Sequence, residues 1–150
     1  MNDTIRQAYQ KAKESRRATD HLAALLKEEE AQALTWAYEG AVEALKAKFE
    51  WMPFNRLAYL AKAQELFKKA VQADPEDLEI RFLRYSIQSS LPSLLMQSYH
   101  LKEDRQKIIE QLPESTLNPA FLQAIAAFVR DSGDCSKAEK QALESFLEGL

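Results

Sequence analysis

Residues 47–57 read AKFEWMPFNRL. Two Phe, a Trp and a Met crowd around one proline, inside a stretch that otherwise reads as helix. Pro53 disfavours helical geometry at the residue before it, and its ring excludes the carbonyl four residues back. A helix over about 31–50 therefore ends here. Another opens at Pro53, or with Asn55 as its cap, and runs to about Ala73. The stretch is thus a corner between two helices, which makes the fold a stack of helical rods. Apolar residues on either side of such a turn fold back onto each other, so Phe49, Trp51, Met52 and Phe54 are expected to seal the end of the core. A ligand site built from the same rings is the alternative reading.

Outward from the corner the pattern stays helical. Upstream, Leu34, Tyr38, Ala41, Leu45 and Phe49 form one stripe, with Trp36, Gly40, Ala44 and Ala47 beside it. Glycine costs about 1 kcal/mol against Ala within a helix, so Gly40 implies a neighbour packed close enough to offset it. Ile5, Ala8, Tyr9 and Ala12 mark a first helix behind the caps Asn2, Asp3 and Thr4. A second, after Thr19 or Asp20, turns Leu22, Leu25 and Leu26 inward and ends near the KEEE run at 27–30. Downstream of Pro53, the inner face is Leu57, Leu60, Ala63, Phe67, Ala70 and Val71.

Asp74-Pro75 then opens a helix over about 76–90 that is apolar on most sides, and so the most enclosed of the set. Its polar stripe is Asp77, Arg81, Arg84 and Gln88. A short turn over 93–100 and a helix over about 102–112, with Ile108, Ile109 and Leu112 inward, follow Pro92. Asn118-Pro119 is a cap followed by a first-turn proline. The helix it opens uses Phe121, Leu122, Ile125, Phe128 and Val129, and stops at Gly133. Ser136 with Glu139 is a capping box for a last helix burying Ala138, Ala142, Leu143, Phe146 and Leu147. The expectation is one all-α domain over 1–150, of about eight helices in antiparallel pairs.

Composition narrows the function classes. The 150 residues hold three glycines and carry a net charge of −3. A duplex-binding surface needs a basic excess, so nucleic acid is not an expected partner. No apolar run approaches the roughly 20 residues of a membrane span, so membrane insertion is not expected. The start, MNDTIRQAYQ, lacks the apolar core of an export signal, and the sequence as written is cytoplasmic in character.

Ala63, Phe67, Ala70 and Pro75 follow the A-x3-F-x2-A-x4-P spacing of the second helix of a tetratricopeptide repeat, and ADPEDLEIR at 73–81 resembles a junction between two such repeats. Trp36 and Gly40 have the spacing of a repeat's first helix. Gly40 and Ala63, however, are 23 residues apart where a standard repeat leaves about 12. The chain is thus TPR-like and not a regular array. YEGAVEALKAKFEWMPFNRLAYLAKA, DPEDLEIRFLRYSIQSSLP and HLKEDRQKII together resemble a family of small bacterial helical proteins. That resemblance implies a compact fold of helical pairs and supplies no catalytic residues. Its members often begin with a signal peptide, which implies a periplasmic or secreted location where one has been removed.

Few residues suggest chemistry. His100 and Glu103 share a helix face, but two ligands are too few for a metal. Cys135 sits among acids that raise a thiol's pKa. No phosphate loop, nucleophile with a base, or acid–base pair stands out, and no cofactor is expected. Arg81 and Arg84 carry the most information, since buried arginines need partners. One reading is a structural network with Glu43, Glu65 or Asp104 as acceptor. The other is a clamp for an anion or a peptide carboxylate, lined by Tyr85, Gln88 and Tyr99. A standard tetratricopeptide groove would instead use Glu79, Phe82, Ser86, Ser89 and Ser90.

The function expected is a non-enzymatic interaction module holding a peptide or partner protein in a helical groove. A small-molecule binder, or an enzyme with a pocket near Trp51–Phe54 and Arg81/Arg84, is the second possibility. A subunit that acts only in an oligomer is the third.

Overall fold

The computed structural model describes residues 1–91 and 100–150. The chain is all-α, with eight α-helices and no strand among the described residues: α1 Asp3–Ala12, α2 Arg16–Lys27, α3 Ala33–Phe49, α4 Pro53–Ala73, α5 Leu78–Ser90, α6 His100–Gln111, α7 Pro119–Asp131 and α8 Lys137–Glu148. It divides into two compact units, residues 1–75 and 76–150.

Local chemistry sets most boundaries. Asn2 Oδ1 accepts from Ile5 N, Asp77 Oδ1 from Ile80 N and Asn118 Oδ1 from Ala120 N, each satisfying an orphan donor of a helix start. Ser136 Oγ accepts from Glu139 N while Glu139 Oε1 accepts from Ser136 N, closing the capping box. Pro53 and Pro119 occupy first-turn positions. Gly133 takes φ 90°, where a side chain would be strained. The second helix starts earlier than the expected Thr19 or Asp20. Ser15 Oγ caps it through Ala18 N, and Thr19 lies within it, its hydroxyl donating to the carbonyls of Ala12 and Ser15. The cue missed was a serine cap ahead of two arginines. The turn expected over 93–100 lies, save for His100, outside the described residues.

In the first unit short connections turn the chain back, so that α2 packs on α1, α3 on α2 and α4 on α3. The α3–α4 seam is the tightest joint. A Cβ on Gly40 would stand 3.3 Å from the Ala63 carbonyl oxygen and 3.4 Å from both Leu66 Cβ and Phe67 Cδ1. Ala63, Phe67 and Ala70 are completely buried on the facing helix. Tyr9 and Tyr38 meet edge to face at 5.7 Å, joining α1 to this core.

The second unit packs α5 against α6 and α7 against α8. Its core is Tyr85, Ile108, Leu112, Leu122, Ile125, Ala126, Val129 and Leu143. The Tyr85 hydroxyl reaches Ser132 Oγ at 2.6 Å, so this ring is buried without an orphaned polar atom. On α8 the expectation was too generous. Ala138 and Ala142 are exposed, and the buried side of that helix reduces to Leu143 with the half-buried Phe146 and Leu147. Alanine reads as core by periodicity but is small enough to sit in water at little cost.

The corner at Pro53 is where expectation and structure differ most. α3 stops at Phe49 and α4 starts at Pro53, as expected. The residues around the turn do not seal the core. Trp51 is 81% exposed, Phe54 84%, Leu57 51% and Met52 39%, while Phe49 is half-buried. The physical reason lies in phase. The α4 residues facing α3 are Leu60, Ala63, Phe67 and Ala70, and extending that stripe back one turn reaches Arg56, not Phe54 or Leu57.

Candidate functional site

α5 brings together the polar residues singled out in sequence, and it brings them inward. Arg81 and Arg84 are only 4% and 3% exposed. Their shared acceptor is Asp104 on α6, which is fully buried. Arg84 grips it with two prongs, Nε to Oδ2 at 2.7 Å and one terminal nitrogen to Oδ1 at 2.8 Å. Arg81 donates to Asp104 Oδ1 at 2.9 Å and to Glu103 Oε1 at 2.8 Å. This is the fork-and-carboxylate geometry in which guanidinium pairing is strongest. Burial works against the Arg81 charge, and the hydrogen bonds it donates to Glu103 and Asp104, with their charges, outweigh it, holding its pKa above the usual value. Glu103, bonded by Arg81, is held below the usual carboxylate range.

Of the other residues of that set, Tyr85 points into the core toward Ser132. Gln88 is buried, with its Oε1 unpartnered among the described residues. Tyr99 lies outside the described residues. His100, at the start of α6, stands 3.9 Å from Glu103 Oε2. Partial burial, and then the Arg84 charge, push its pKa down. No three His, Cys, Asp or Glu side chains gather as a metal set among the described residues. Cys135 donates to the Val129 carbonyl, and burial pushes its thiol pKa up. Arg105 beside it is occupied by both oxygens of Glu139 at 3.0 Å.

The first unit carries a groove that sequence reading missed. It runs between α2, α3 and α4, has a volume of about 300 Å³, and is floored by Leu26, Val42 and Leu66. Glu39, Glu43, Lys46 and Lys62 stand along it. Glu43 is nearly buried and is held by Lys46 at 3.3 Å and Lys62 at 3.5 Å. Partial burial raises the Glu39 pKa, against the pull of Lys69 and Lys62. The signal was present: Glu39 and Glu43 are one helical turn apart in the mostly apolar middle of α3. It was passed over because carboxylates on helices are usually solvated.

The same unit ends in the exposed corner. The α1–α2 turn lies beside it, since Lys48 Nζ donates to the Lys13 carbonyl at 2.7 Å. Arg16 and Lys46 each lie 5.9 Å from the centre of the Tyr59 ring on α4. Arg16 of α2 and Lys46 of α3 therefore meet at Tyr59, two residues beyond Leu57. No helix among the described residues is long and apolar enough to cross a membrane.

Comparison with protein-family models, with curated proteins and with solved structures returned no match, so the functional reading rests on the chain's own geometry.

Proposed function

We propose that the chain is a non-enzymatic interaction module that holds a peptide, or a segment of a partner protein, in the groove between α2, α3 and α4. The observation that carries this is the half-buried Glu39 above the apolar floor of Leu26, Val42 and Leu66. A carboxylate raised in pKa by burial gains from a donor brought by a ligand, and a peptide supplies both donors and apolar side chains. The paired Lys46–Glu43–Lys62 row fixes one wall. The repeat-like spacing of Ala63, Phe67, Ala70 and Pro75 supports a TPR-like framework, because the first three are, with Leu60, the buried residues of α4.

The reading in which Arg81 and Arg84 clamp a ligand draws less support, since Asp104 already fills both guanidiniums. A small-molecule pocket at Trp51–Phe54 draws less still, since those rings stand in solvent. Panning a displayed random-peptide library on the folded protein tests the proposal. Enriched sequences should place a basic residue beside an apolar one. Glu39→Ala should weaken their capture about tenfold, the loss of one hydrogen bond to a charged group. A library that yields no enriched sequence, or sequences indifferent to Glu39→Ala, would overturn it.

A further inference from the structure

We propose that the α3–α4 corner is a docking wedge for an anionic lipid surface, with Trp51, Phe54 and Leu57 entering the interface and the surrounding cations meeting the headgroups. The site is separate from the α2/α3/α4 groove, and this proposal does not rest on the groove reading.

The first observation is exposure at a tip. Trp51 and Phe54 are more than four-fifths exposed, and Met52 and Leu57 join them within seven residues. Side chains this open stand out from the body and do not line a cleft. Burying such rings is favourable by roughly 25 cal/mol per Å², so leaving them in water is a standing cost unless something covers them. Trp is also the side chain that most favours the boundary between water and hydrocarbon.

The second observation is charge. Across the two turns at this end, residues 10–17 and 46–56, there are seven Lys or Arg against two Glu, in a chain whose net charge is −3. Two of those cations have acidic partners elsewhere, Arg16 in Asp20 and Lys46 in Glu43, and the end remains basic after both acids are counted. Lys13 and Lys48 lie close enough that, after burial, the Lys48 charge helps to depress the Lys13 pKa. Cations held together against their own repulsion suit an acidic surface.

Those observations also choose the occupant. A second copy of the chain, meeting this patch with its own, would set cation against cation across a two-fold interface. An exposed apolar turn with Lys48 and Lys13 beside it, and Arg16 and Lys46 at the nearby Tyr59, needs only a soft negative plane, where each cation near the surface strengthens binding several-fold. Such contact lies on the membrane and does not span it.

The test is flotation with vesicles of phosphatidylcholine alone and of phosphatidylcholine with 30% phosphatidylserine, read together with tryptophan emission in a Trp36→Phe background that leaves Trp51 as reporter. The expected result is binding to the anionic vesicles only, a blue shift of Trp51 emission, and release as salt is raised. Trp51→Ser with Phe54→Ser should lose at least tenfold in binding with an unchanged melting temperature. Lys48→Gln with Arg56→Gln should lose about tenfold. Absence of binding to anionic vesicles at low salt would overturn the proposal, as would binding undiminished by Trp51→Ser with Phe54→Ser. Two further outcomes would also overturn it. One is self-association in the absence of lipid that those two substitutions abolish, which assigns the wedge to a second copy. The other is capture of soluble polyglutamate as tight as that of the vesicles with no shift of Trp51, which assigns it to an acidic protein.

Discussion

The α5–α6 contact and the α3–α4 corner break the usual arrangement of side chains in opposite senses. At the first, two arginines and an aspartate are buried; at the second, a tryptophan and a phenylalanine stand in water. Each arrangement is unfavourable by itself. The buried charges are compensated within their own unit, where Asp104 satisfies both guanidiniums and Glu103 completes Arg81. The exposed rings have no such compensation among the described residues. A polar group in the wrong place but fully paired belongs to the fold, whereas an apolar group in the wrong place and uncovered points to an encounter.

This contrast can be broken by substitution. The largest effect expected is at Asp104. Asp104→Ala removes the carboxylate that Arg84 grips with two prongs, takes one of Arg81's acceptors while leaving it Glu103, and should cost about 3–5 kcal/mol in urea unfolding. A loss under 1 kcal/mol would mean that the arginines have other outlets. Next is Gly40→Val, which drives a branched side chain against the Ala63 carbonyl and Phe67 and should cost about 1–3 kcal/mol. At the corner, Trp51→Ser with Phe54→Ser should change unfolding free energy by no more than about 0.5 kcal/mol, as for surface sites away from caps and pairs. A large loss there would place the rings in the core after all.

The smallest effect expected is a pH slope. The neutral form of His100 is favoured in the fold, so its folded pKa lies below the ordinary imidazole value of about 6.5. The unfolded chain then binds more protons just below that value, and stability falls as pH falls through this window. His100→Gln should flatten melting temperature against pH there. An unchanged slope would show that burial and the Arg84 charge do not disfavour the protonated His100 in the fold.

Much of the fold was legible in the sequence because proline, cap residues and period act locally. Pro53, Asn118-Pro119 and the Ser136–Glu139 box mark their helix starts, and Gly40 announced a close neighbour, which the structure shows to be α4. Asp104 was nameable as an acceptor for the arginines, whereas Glu103 was not, because it depends on how α6 is rotated against α5. The corner was misread for a related reason. Apolar character says that a residue would gain from burial, but only the phase of α4 says whether a surface is there to bury it. Phe54 and Leu57 fall off the stripe that Leu60, Ala63 and Phe67 define, Trp51 lies in the turn ahead of α4, and no composition rule carries that. The Glu39–Glu43 pair stood in the sequence, but not the groove beside it, because that takes three helices to make.

The most direct measurement is acrylamide quenching of Trp51 in the Trp36→Phe protein, with and without anionic vesicles. The account predicts a freely quenched tryptophan in solution that becomes protected when vesicles are added. A Trp51 already shielded in the free protein, or one equally quenched with vesicles present, would contradict it.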